Sequence, residues 1–338
     1  MLHFILMRLA LATSLILGFP FALKAEEAGA PPSPDAVVST LEKISGVHKG
    51  IRRNHSKGVC AEGFFEATPA ARDLSVSRLF SGEKIPLVAR FSVAGPNPAV
   101  PDAAKNPRGF ALQYRLPGGD LHQMAMLNTP VFGAATVQTF YDRLLADVPD
   151  PATGKRDPEK LKAFLASHPD AREMAQWLAT HNPPPSYANT TYFSLHAFKF
   201  IDGAKQGRWV RWRFEPRDGV LFLGDDEMAS LPKDFLAQRL TDRTRAGPVQ
   251  WDMIVTLAEP GDPIDNPTIA WPRTRREVNA GTLTLTKAGD DVVAVCDDIN
   301  FDPNVVSAGV EPSPDPILEF RSPAYAVSFG RRLDEKGK

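Results

Sequence analysis

Two short stretches near opposite ends of this 338-residue chain carry the residue types for proton transfer and metal binding. The first, Arg52–Thr68, reads RRNHSKGVCAEGFFEAT and sets His55 between paired arginines and a strand-like run that begins at Val59. An imidazole at the mouth of a strand can point into a barrel and move protons for a bound substrate. Gly63, inside the run and beside Phe64 and Phe65, marks a bulge or a close approach to the backbone. A core histidine bonded to a backbone carbonyl is the competing reading for an isolated His.

The second stretch surrounds Tyr325. Ser322-Pro323 reads as an N-cap followed by proline at the first helical position, which predicts a helix beginning there with Tyr325 in its first turn. Arg321 precedes the tyrosine by four residues, and Arg331 and Arg332 follow it. A guanidinium beside a phenol favours the phenolate, which is a hard, anionic axial ligand for ferric haem. A surface tyrosine bonded to its own arginine is the alternative.

The elements that must position these residues follow from pattern. Leu87–Val93, Arg108–Arg115 and Leu121–Met126 read as strands after the His55 strand, with a loop at Pro96–Asn106. Together they suggest the first half of an antiparallel barrel. A helical insertion at Pro158–His181, broken at Pro169 and ended by Pro183–Ser186, precedes strands at Tyr192–Ile201, Arg208–Phe214, Gln250–Leu257 and Gly281–Lys287. Val292–Asn300 is expected to pair with the last of these as a hairpin across Gly289-Asp290. Val37–Ile44 reads as a short helix after a Pro/Ala-rich arm at Ala28–Asp35.

Net charge is -1 with both signs interspersed, which argues against a nucleic-acid or anionic-membrane partner. The composition, 43% hydrophobic and 23% charged, is that of a globular chain, and its 31 prolines favour fixed turns over long helices. Leu9–Phe21 is apolar but too short to span a bilayer, and small residues follow it. Residues 1–25 are therefore expected to be a cleaved secretory signal, with the cut as late as residue 30, and residues 26–338 a single exported domain in a periplasm. Cys60 and Cys296 form neither a zinc nor a covalent-haem motif; an oxidising compartment would permit a bridge between them. Asn189-Thr190-Thr191 matches a glycosylation sequon and is given no weight.

Taken together, the two stretches and the blocks between them resemble the catalase family. HSKGVCAEGFFEAT looks like its distal-histidine signature, followed in order by ARFSVAG, NPRGFALQY, LNTPVF, YFSLHAFKF and FDP…GVEPSPD…R-x-x-x-Y. The likeness spans residues 45 to 332. It implies an α+β fold, an antiparallel eight-stranded β-barrel with inserted helices, and haem b as cofactor. It implies His55 as distal acid–base group, Ser92 as the partner that fixes its tautomer, and Tyr325 as iron ligand with Arg321 keeping it ionised. Arg52, Arg90 and Arg332 fall where the family binds the haem propionates, and Val93, Phe132 and Phe140 where it lines the distal face. Asn128 is the candidate catalytic asparagine, and His196 is read as structural.

The departures are specific. Large catalases carry two asparagines before the Thr-Pro, where this chain has Leu127 and Asn128; the family's catalytic asparagine is the first, which puts Leu127 at the polar position. Gly133 replaces a second phenylalanine after Phe132. The chain stops six residues after Arg332, so the C-terminal helical domain is expected to be absent. The resemblance thus implies a compact catalase-related peroxidase that reduces hydrogen peroxide or small organic hydroperoxides with an external donor, a small molecule or a protein, and it is compatible with a homo-oligomer. A true catalase is a second reading, and a haem-carrying barrel without catalysis a third.

Overall fold

The computed structural model describes residues 30–337, and Pro32–Lys338 forms one compact unit. The expected leader lies outside the described residues. Ten strands are present among them: β1 Gly58–Ala67, β2 Lys84–Val93, β3 Arg108–Arg115, β4 Leu121–Leu127, β5 Tyr192–Phe193, β6 Phe198–Ile201, β7 Gly207–Pro216, β8 Val249–Leu257, β9 Glu277–Ala288 and β10 Val310–Pro312. Helices are α1 Pro34–Ser45, α2 Pro69–Arg72, α3 Val137–Asp147, α4 Pro158–Ser167, α5 Arg172–Thr180, α6 Asp225–Ser230, α7 Leu236–Arg245, α8 Val293–Asp297 and α9 Pro316–Lys336.

The sheet runs β10-β6-β7-β5-β4-β3-β2-β1-β9-β8, and an additional β7–β8 ladder closes it. The closed ring is the eight-stranded antiparallel barrel that the resemblance implies, with β6 and β10 as an appended ribbon. Strands alternate sides, so Phe91, Phe110, Tyr192 and Trp251 turn inward and build the core, Phe91 and Phe110 stacked at 4.3 Å. Gly63 does mark a bulge. The β1–β9 register slips between Glu62 and Gly63, and a Cβ on Gly63 would lie 2.0 Å from the Thr284 carbonyl oxygen.

Four expectations fail locally. Tyr192–Ile201 is two strands rather than one, because the Ser194 hydroxyl takes the Trp212 N–H and Leu195 turns left-handed at φ +63°. Val292–Asn300 is not a strand: Val292 and Cys296, four residues apart, share one face against Cys60, Val88 and Phe301, and a helix satisfies that spacing. The C-terminal helix begins at Pro316, capped by the Asp315 carboxylate, which accepts from Ile317 N and Leu318 N. Asp315-Pro316 is thus the cap, and Pro323 lies inside the helix, where it removes the N–H that would bond the Glu319 carbonyl. Tyr325 accordingly sits in mid-helix. The insertion also starts earlier than its pattern suggests, since α3 precedes it.

Cys60 and Cys296 are bridged, with Cα atoms 6.1 Å apart. Among the described residues no helix is long and apolar enough to cross a membrane.

Candidate active site

Between the outside of β2–β4 and the inner face of α9 lies a cavity of about 370 Å³. His55, Ser92, Arg52, Arg90, Phe132, Phe140, Arg321, Tyr325 and Arg332 all line it, so the fold brings residues from both ends of the chain to one space.

His55 enters it from a strained turn. Its φ is +52°, a left-handed value uncommon outside glycine that tends to be kept at functional sites. The turn is locked by its neighbours: Asn54 Oδ1 accepts from His55 N and Gly95 N, both at 2.9 Å. The Ser56 hydroxyl bonds the carbonyls of Arg52 and Pro96 at 2.9 and 2.7 Å. On the ring, Nδ1 stands 2.9 Å from Ser92 Oγ. Gly109 opposite leaves room for this pair; a Cβ there would come within 2.6 Å of Ser92 Oγ and 2.7 Å of His55 Nδ1. Burial first, then the charges of Arg90, Arg321 and Arg52, lower the His55 pKa to about 3. The imidazole is therefore neutral near pH 7 and able to accept a proton.

On the opposite wall, the Arg321 Nη2 donates to the Tyr325 hydroxyl oxygen at 2.5 Å. The i,i+4 spacing on α9 makes the contact. Asp315, at the head of the same helix, reaches back to the barrel: His196 Nδ1 lies 2.7 Å from Asp315 Oδ2, with both side chains buried. His196 also faces the cavity from the Leu195 turn.

Three guanidiniums gather at the cavity's cationic end. Burial, then Arg90 and Arg332, lower the Arg52 pKa to about 8; burial lowers that of Arg90 to about 10. Arg332 Nη1 is buried without a hydrogen-bond partner. Asp297 Oδ1, 3.5 Å from Arg52 Nη1 and 3.7 Å from Arg332 Nη1, offsets part of this charge; three guanidiniums still suit a ligand that brings carboxylates, which they bind bidentately. A phenolic oxygen, an imidazole and three guanidiniums lining one cavity would suit a dianionic group that carries a hard metal cation.

Two sequence candidates stand elsewhere. Val93 is fully buried in the barrel core, one residue out of phase with Arg90 and Ser92. Asn128 is a structural tie, since its Oδ1 accepts from Arg108 N at 2.7 Å and its Nδ2 faces Thr190 Oγ1 at 3.5 Å. Leu127, by contrast, lines the cavity. Asn54, Gly109 and Asp315 were missed by sequence reasoning; the Asn beside His55 and the Asp-Pro pair were the available signals.

Comparison with protein families matches residues 40–336 to the catalase model. A catalase-related peroxidase of Synechococcus elongatus is 55% identical over 300 residues, covering 89% of this chain and 88% of that protein. One of Mycolicibacterium paratuberculosis is 33% identical, covering 89% and 95%. Among solved structures, catalase A from Saccharomyces cerevisiae superposes with a TM-score of 0.78 at 23% identity, covering 84% of this chain and 61% of its own.

Proposed function

The chain belongs to the catalase family, and on that footing we propose that it is a haem-dependent peroxidase reducing hydrogen peroxide or small organic hydroperoxides. The observation that carries this is that the His55–Ser92 pair, from the barrel side, and the Arg321–Tyr325 pair, from α9, line one cavity. Haem b, when bound, would supply the redox-active iron. Tyr325 would hold the metal through its phenolic oxygen, and Arg52, Arg90 and Arg332 the two carboxylates.

The protein's own part is proton handling and exclusion of water. With Nδ1–H donated to Ser92, His55 presents the Nε2 lone pair to the cavity. There it can take the proton of an incoming peroxide and return it to the departing oxygen. Phe132 and Phe140 add apolar lining to the cavity. Leu127 at the wall withholds the hydrogen bond that would orient a second peroxide, which favours an external electron donor over oxygen release. The leader-like N-terminus supports a periplasmic site of action.

The purified protein should show a visible spectrum of phenolate-ligated ferric haem, and oxidise an aromatic donor faster than it releases oxygen. Tyr325→Phe should lose haem or change its axial ligand. A wild-type Soret band at full occupancy in that variant would overturn the assignment.

A further inference from the structure

The carboxylate-binding end of the cavity depends on a piece of chain outside the barrel. The Arg52 Nη2 donates to the carbonyls of Ile299 at 2.7 Å, Cys296 at 3.1 Å and Asp297 at 3.4 Å. Its Nη1 stands 3.5 Å from Asp297 Oδ1, and Arg332 Nη1 reaches the same oxygen at 3.7 Å. Lys336 pairs with the other Asp297 oxygen. Three residues of the segment 296–299, namely Cys296, Asp297 and Ile299, thus set where the Arg52 guanidinium points, and Asp297 ties it to the end of α9.

That segment has little to hold it by itself. α8 is five residues long, well under the length at which a helix is stable alone. A small cluster of Cys60, Val88, Val292, Cys296 and Phe301 and the Cys60–Cys296 bond anchor it to β1. The barrel does not need the bond, because β1 is already laddered to β2 and β9. Cutting it therefore acts on residues 296–299 and leaves the sheet closed.

We propose that the Cys60–Cys296 disulfide is a positioning element of the cofactor site. By fixing the carbonyls of Cys296, Asp297 and Ile299 it aims the Arg52 guanidinium at the cofactor's carboxylate and so sets how tightly the cofactor is held. The inference rests on the haem reading above. Groups that orient ligand-binding side chains typically contribute about 10–100-fold in affinity, and a similar factor is expected here.

The test is the rate at which haem passes from the holoprotein to a scavenger such as apomyoglobin. The paired variant Cys60→Ser/Cys296→Ser should release haem roughly 10–100-fold faster, and Arg52→Gln should do likewise. The triple variant should be no faster than Arg52→Gln, because the bond acts through that arginine. Additive effects, as a merely structural bond would give, or an unchanged rate in the serine pair, would overturn the proposal. Should the serine pair fail to fold, wild-type protein with both thiols freed by a reductant should show the same acceleration; an unchanged rate would be equally decisive against it. A wild-type protein that takes up no haem would remove the haem reading, and the clamp with it.

Discussion

The Asp315 carboxylate serves two structures at once. One oxygen caps α9 at Ile317 N and Leu318 N, and the other lies 2.7 Å from Nδ1 of His196, whose turn interrupts the barrel wall. The helix that carries Tyr325 is therefore indexed to the sheet that carries Ser92 and faces His55.

Removing that carboxylate should cost both functions. Asp315→Ala loses the cap, about 1 kcal/mol, and strands a buried imidazole, about 1–3 kcal/mol more. Asp315→Asn keeps an acceptor for the cap and should recover about 1 kcal/mol of that loss. Denaturant midpoints of the two variants check this; equal losses would mean that the cap contributes nothing.

Stability should fall in mild acid partly through His55. Its pKa is about 3 in the fold and 6.5 as the ordinary value. Below pH 6.5 the unfolded chain takes up the proton and the folded chain does not, so the penalty grows from pH 6.5 down to about 3. One such group contributes a slope of about 1.4 kcal/mol per pH unit. His55→Gln should make unfolding free energy shallower by that amount between pH 6 and 4. An unchanged slope would place the His55 proton elsewhere.

Gly109→Ala should separate folding from site geometry. The new methyl must displace the His55–Ser92 pair, since both atoms lie within 2.7 Å of it, while the backbone at Gly109 needs no left-handed conformation. The barrel should form, yet peroxide cleavage should drop toward the level of His55→Ala, a loss of about 10²–10⁴-fold. Stopped-flow of the haem-replete variant reads the rate, and wild-type kinetics would show that the pair tolerates displacement.

Leu127→Asn should restore a polar group to the cavity wall. Oxygen release should rise relative to oxidation of an aromatic donor, measured on the same sample. Asn128→Ala should instead lower stability, because it frees the Arg108 N–H that Asn128 Oδ1 now accepts. The reverse pattern would mean that Asn128 faces the substrate.

Much of the barrel was legible because alternation is a local signal. Arg108–Arg115 has the bounds its pattern implied, and β4 ends one residue beyond Met126. His55, Ser92, Arg90 and the α9 residues Arg321, Tyr325 and Arg332 line one cavity, as the resemblance implied. What was not legible depends on contacts distant in sequence. A strand was expected at Val292–Asn300 because Gly289-Asp290 reads as a hairpin turn, but a helical face against Cys60 decides its form. Leu195 reads as a strand residue, and only the Ser194 hydroxyl and the His196–Asp315 contact show why the strand breaks there. Val93 was placed on the cavity by the resemblance, although alternation turns it the other way.

Closure of the sheet also bears on how the chain reaches this state. β1 pairs on one side with β2, a neighbour in sequence, and on the other with β9, for example Phe65 opposite Leu283. The second partner emerges from synthesis only after almost all of the intervening chain, so β1 must keep an open edge until then. Partners this distant slow folding, and an unpaired edge is where chains join one another. Refolding from denaturant should thus be slow and sensitive to protein concentration, even though the finished ring has no edge to offer.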